Sequence, residues 1–137
     1  MGILTGGQVE SDFYRLLQGS ALAEEVSGGI YFETARPRDS RLEDIVVIFT
    51  AGEAAQIQEG KVTLNIYVPD ITPYANGQKV RDKQRIDYLS KLAMDWIGSI
   101  RPSETRYRIG TRSTVTYDRD GETGQHFIAV HLWYKYF

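Results

Sequence analysis

The polar residues able to do chemistry fall into four groups. His126 and His131 stand five apart near the end of the chain. In a strand an odd separation puts side chains on opposite faces, so these imidazoles cannot form a metal pair there. Asp118, Asp120 and Glu122 alternate like calcium-loop ligands. They lack the loop length and the closing bidentate glutamate of an EF-hand, and the glycines beside them read as an acidic turn. Glu43 and Asp44 are neighbours, which in a strand points them apart rather than into a carboxylate pair. Arg101, Arg106, Arg108, Arg112 and Arg119 are the strongest polar feature. On an unbroken strand Arg106, Arg108 and Arg112 share one face, with Tyr107 and Ile109 on the other. Such a row can grip phosphates or pair with carboxylates of a neighbouring chain. The bland alternative is a solvated strand face.

No Walker loop, dinucleotide glycine fingerprint or nucleophile elbow occurs in the chain. Cysteine is absent, which excludes disulfides, zinc–thiolate sites and thiol nucleophiles and fits a cytosolic protein. The reading is therefore of a protein that is not an enzyme, with no cofactor and no metal.

A chain of 137 residues is most simply one domain. Its hydrophobic and charged fractions are ordinary for a soluble globular protein. No apolar run approaches the roughly 18 residues that span a bilayer, so no membrane partner is expected. The first residues are too short and too uncharged for a secretory signal. Gly6 stands where a myristoylation signal wants Ser or Thr. Residues 1–9 read as a flexible leader, and residues 10–137 as a single α+β domain. Charge is uneven: residues 1–60 carry ten acidic and four basic side chains, and residues 79–119 carry ten basic and five acidic. Either nucleic-acid contact by the basic part or head-to-tail contact between subunits would use that split.

The elements that would position these residues follow from periodicity. Val62, Leu64, Ile66 and Val68 alternate with Lys61, Thr63, Asn65 and Tyr67, which predicts a strand with one buried face at the centre of the fold. A first helix is expected from a Ser11 cap, with a stripe of Phe13, Leu16, Leu17 and Ala21, to a stop at Gly28 and Gly29. Residues 30–34 read as a short strand and residues 43–50 as a two-sided apolar one. Residues 51–60 and 70–81 read as long connectors, the second holding Tyr74. A second helix is predicted over residues 82–100, from the stripe of Ile86, Leu89, Ala93, Trp96, Ile97 and Ile100. Residues 107–117 and 125–137 form a closing hairpin. The order is α-β-β-β-α-β-β, a mainly antiparallel sheet with two helices packed on one face.

This order resembles the tail terminator, or tail completion, proteins of long-tailed bacteriophages. Tyr31, Pro37, the run Ile45-Val46-Val47-Ile48-Phe49 and the strand Asn65-Ile66-Tyr67-Val68 carry the resemblance, which spans roughly residues 10–137. It implies a structural virion assembly protein: a homo-oligomeric ring, usually a hexamer, that caps the tail tube and stops its polymerisation. It implies three partners, namely the same chain, the tail tube protein and a neck or connector protein at the head–tail joining surface. Nucleic acid would be met only along the DNA passage. Host cytoplasm during assembly, from a phage or prophage, and then the virion tail are the implied locations. Arg106, Arg108, Arg112, Tyr67 and Tyr74 are the residues expected at a subunit or tube interface. The alternative is a small nucleic-acid-binding protein or nuclease using residues 101–119. A third reading, a ligand-binding module, needs a sizeable apolar pocket.

Overall fold

The computed structural model describes residues 4–53, 58–111, 116–120 and 124–137. In chain order the elements are α1 (Gly6–Leu17), α2 (Ala21–Glu25), β1 (Ile30–Phe32), β2 (Ile45–Glu53), β3 (Gln58–Pro69), α3 (Lys83–Ser99), β4 (Tyr107–Thr111), β5 (Thr116–Asp120) and β6 (Gln125–Tyr136). One sheet runs β1-β2-β3-β6-β4. β4 and β5 pair successive lengths of β6, so six segments fill five strand positions. Among the described strands only β1 and β2 run parallel. The fold is α+β with a mostly antiparallel sheet, as the periodicity predicts. No described helix is long and apolar enough to cross a membrane.

The strand at the centre of the sequence is the centre of the sheet. β3 is paired along both edges, to β2 and to β6. Val62, Leu64, Ile66 and Val68 are buried on one face and meet Leu132, Val130 and Ile128 of β6 there. Val9, Phe13 and Leu17 of α1, Leu22 of α2, and Ile86, Leu89, Ala93 and Trp96 of α3 close the same core. Full burial of each large aliphatic side chain contributes about 1.5–3 kcal/mol. That is why the apolar stripes, rather than helix propensity, decide where the helices lie. The Trp96 indole N–H donates to the Leu16 carbonyl at 3.2 Å and ties α3 to α1.

Four boundaries differ from the sequence reading. The first helix starts at Gly6, not after Ser11, because Thr5 caps it by accepting from Gln8 N–H. Burial of Val9 then outweighs the poor helix propensity of Gly6 and Gly7. Within the leader expected over residues 1–9, residues 6–9 are helix and the Leu4 backbone is held by two hydrogen bonds to Gln58; residues 1–3 lie outside the described set. The helix also breaks, since Gly19 takes a φ of +76° and Ser20 caps a separate short helix, α2. The connector expected over residues 51–60 is mostly strand, with β2 reaching Glu53 and β3 starting at Gln58. The first arm of the closing hairpin is split into β4 and β5; residues 112–115 are outside the described set. The order is thus α-α-β-β-β-α-β-β-β.

Tyr107, at the start of β4, donates its hydroxyl proton to Asp12 of α1 at 2.6 Å. Burial first, and then that bond to a carboxylate, push the Tyr107 hydroxyl well above its usual value. The folded state therefore holds a proton that the unfolded chain releases near pH ~10. This contribution to stability is complete below that pH and is lost as pH rises toward the folded value. Urea midpoints measured from about pH 9 to pH 11 should fall more steeply for the native protein than for Tyr107→Phe. Equal slopes would remove Tyr107 as the cause. Tyr134, which burial also pushes up, adds an effect of the same sign to both proteins.

Candidate functional site

Glu43 and Asp44 do point apart, and each is held by an arginine. The buried carboxylate of Asp44 accepts from Arg36 Nε at 2.8 Å, from the Ser40 hydroxyl at 2.6 Å and from Gly29 N–H at 3.0 Å. Arg36 also donates to Gln125 of β6 at 3.0 Å. Gly28 is required beside this carboxylate, because a Cβ there would fall 1.8 Å from Asp44 Oδ1. Glu43 receives two bonds from Arg85 of α3, at 2.6 and 2.8 Å. Arg85 also grips Glu25 at 2.8 Å. Hydrogen bonds to Glu43 and then to Glu25 raise its pKa further above its ordinary value. Part of the acidic first half is therefore neutralised by arginines of the same chain. The loop from β1 to β2 is pinned by Arg36; Thr34 within it holds a strained φ of +67°.

The sheet face turned away from the helices is built from the strand pairings. Reading across, Arg108, Lys135 and Glu59 form one row, with Glu53 next in register, and Gly110, Trp133, Lys61 and Ala51 form the next. Then come His131, Thr63 and Ile48, followed by Ala129, Asn65, Val46 and Tyr31. Phe127 and Tyr67 close the series, with ring centroids 5.4 Å apart. Arg36 stacks its guanidinium 3.9 Å from the Tyr67 ring centre. Trp133 lies against Gly110, where a Cβ would come within 2.4 Å of the indole. A groove of about 310 Å³ runs between Trp133, Lys61, Lys135, Glu59 and the glycines Gly52 and Gly60. The two histidines sit on opposite faces, as their spacing predicts. His131 Nδ1 is 3.2 Å from Thr63 Oγ1 on this open face. His126 Nδ1 is 2.6 Å from Asp70 on the other. Among the described residues, no group of three His, Asp or Glu side chains is placed to hold a metal ion.

Of the expected arginine row, Arg106 and Arg108 are described, and they part company. Arg106 precedes β4, donates to the Phe137 carbonyl and lies over the Tyr136 ring at 4.9 Å. It borders a recess with Asp12 and Arg15 of α1. Arg108 lies on the open face, 5.1 Å from the Phe137 ring centre. Tyr136 and Phe137 are consecutive, so the two arginines turn to opposite sides of the sheet. Arg112, with the side chains of Asp118, Arg119, Asp120 and Glu122, lies outside the described residues.

Tyr67 is capped by Arg36 of the same chain, whereas Tyr74 is exposed. It sits in an arm of residues 70–81 that leaves the end of β3 and returns to α3. An Ile71–Val80 bridge closes the base of the arm. Its tip is a turn in which Gly77 N–H donates to the Tyr74 carbonyl at 3.1 Å and Gly77 takes a φ of +76°. Ile71 is 41% exposed and Tyr74 58%. The open face was missed at the sequence level, although its signal was present: Phe127, Ala129, His131, Trp133 and Lys135 alternate along the last strand. No family model matches the chain, and no curated protein is detectably similar to it.

Proposed function

We propose that the chain is a structural assembly subunit of the phage tail terminator type. In this reading it forms a homo-oligomeric ring, six-fold by the resemblance, that caps the tail tube, stops its growth and presents the head–tail joining surface. The role is architectural rather than catalytic. It is exercised in the host cytoplasm during assembly and then in the virion tail. The arm of residues 70–81 is the observation that carries it. An ordered loop of this length in a small domain is kept for contact, and this one holds Ile71 and Tyr74 out in water at one end of the subunit. A second subunit, or the tube, would cover them. Arg108 and Tyr74 are the interface residues favoured here; Arg106 serves only a contact that reaches the α1 side.

Light scattering with electron microscopy, on the protein alone and with purified tubes, tests this reading. A closed ring, or protein bound at tube ends, is expected. Tyr74→Ser should leave stability within about 0.5 kcal/mol, as exposed sites do, while removing ring formation or end-capping. A chain that stays monomeric at every concentration and ignores tubes would overturn the reading.

A further inference from the structure

We propose that Asn76 is a site of self-modification. In the folded protein its side-chain amide is converted to a carboxylate, without an enzyme, by reaction with the backbone nitrogen of Gly77. The chain has two asparagines, Asn65 and Asn76, and the fold sets them in opposite environments. Asn65 lies in β3 between β2 and β6, and its successor Ile66 is fully buried. A backbone paired along both edges opens only with the sheet. Asn76 lies at the tip of the arm, within the exposed run of residues 71–79. Its successor is the turn glycine Gly77, with a φ of +76°.

Three features favour the reaction there. A Cβ added at Gly77 would meet no described atom within 4 Å, so the attacking nitrogen is not walled off, and glycine reaches backbone angles closed to other residues. Asn76 Oδ1 accepts from Gln78 N–H at 2.9 Å. That bond folds the side chain back along the Gly77 peptide and sets a donor on the oxygen where negative charge develops. Gly77 N–H donates to the Tyr74 carbonyl at 3.1 Å, in a solvated turn whose opening costs little free energy. The step needs no co-reactant but water. Gly77 N gives up its proton and attacks Asn76 Cγ; the Cγ–Nδ2 bond breaks, and ammonia leaves with that proton. The product is a five-membered imide. Water opens it at Cγ to give aspartate, or at the main-chain carbonyl to give isoaspartate. Isoaspartate routes the main chain through the side chain and adds one methylene, which breaks the register of the Gly77–Tyr74 bond. Either product puts a new negative charge two residues from Tyr74.

Ageing the whole protein between about pH 7 and about pH 9, with site-resolved peptide mass spectrometry, tests it. Asn76 should gain about 1 Da, with aspartate and isoaspartate resolved as separate peaks. The rate should rise about ten-fold per pH unit, because the nucleophile is the deprotonated amide. Asn65 should stay intact throughout. Gly77→Ala should slow the conversion at least about ten-fold, since a Cβ crowds the attacking nitrogen. The pH profile and the Asn65 comparison are read in the native chain, so they decide the matter even where that substitution distorts the turn. Three results overturn the proposal: conversion of Asn76 no faster than that of Asn65, a rate indifferent to pH, or conversion confined to the urea-unfolded chain. Adding purified tubes gives a further reading that rests on the assembly role proposed above: bound protein should convert more slowly at Asn76. Conversion untouched by tubes would count against the arm as a contact and leave this site standing. Tube capping by a chain that never converts would remove this site alone.

Discussion

Asp44→Ala should lower the stability of the protein by about 3–5 kcal/mol, the cost of leaving a buried partner charge uncompensated. Three groups lose an acceptor or a charge partner together: the Arg36 guanidinium, the Ser40 hydroxyl and Gly29 N–H. Arg36 cannot swing freely to water, because its side chain is only 12% exposed and stacks on Tyr67. The exposed helical pairs Lys83–Asp87 and Lys91–Asp95 give the contrast. Breaking either should cost only a few tenths of a kcal/mol. Urea unfolding read by circular dichroism would measure the difference. The double change Asp44→Leu with Arg36→Met should recover much of the loss, because burying apolar groups of similar size avoids the stranded charge. A single-mutant effect below about 1 kcal/mol would mean that water reaches Arg36 and that the clasp is loose.

The second large effect belongs to Phe13. Its ring is fully buried and stands edge-on to Tyr107 and Tyr134, with centroids 5.4 and 6.0 Å away. It is the main anchor of α1 on the sheet. Phe13→Ala should cost about 3–5 kcal/mol, through lost transfer energy and the cavity left behind. In melting temperature this is a fall of roughly 10–20 °C. Phe13→Leu should cost far less, because most of the volume is retained. If the two variants melted together, the ring geometry rather than the volume would be what holds the helix.

The elements were legible wherever one face was buried and the other wet. The stripe from Ile86 to Trp96 places α3 nearly to the residue, with Asp82 as its cap, and the alternation through Val62, Leu64, Ile66 and Val68 places the body of β3 but not its start at Gln58. The start of α1 was not legible. Gly6 and Gly7 argue locally against a helix, and only the burial of Val9 under the sheet reverses that. Nor was the parallel pairing of β1 with β2, because no helix intervenes to announce a crossover. The candidate surfaces were half legible. Tyr74 reads as part of a long connector, and the structure adds that its ring is exposed. The open face needed the register of β3 on β6, which brings Lys61 beside Trp133 and Tyr67 beside Phe127. That register joins segments nearly seventy residues apart, and nothing local encodes it. The same distance explains Arg36: a loop arginine looks solvated until the fold brings Asp44 and Gln125 to it.

The long pairing of β3 with β6 also sets a timetable. β6 is an inner strand, held by β3 on one side and by β4 and β5 on the other. During synthesis β3 must therefore wait for residues 125–136 before its second edge is covered. Until then it offers a strand edge and an apolar face together, the combination that invites pairing with other chains. Such non-local closure is slow, on the order of milliseconds to seconds. A nascent chain stalled before residue 125 would keep β2 and β3 but lose their inner neighbour. The chain is most exposed to misassembly in that interval, and a holding chaperone would have its use there.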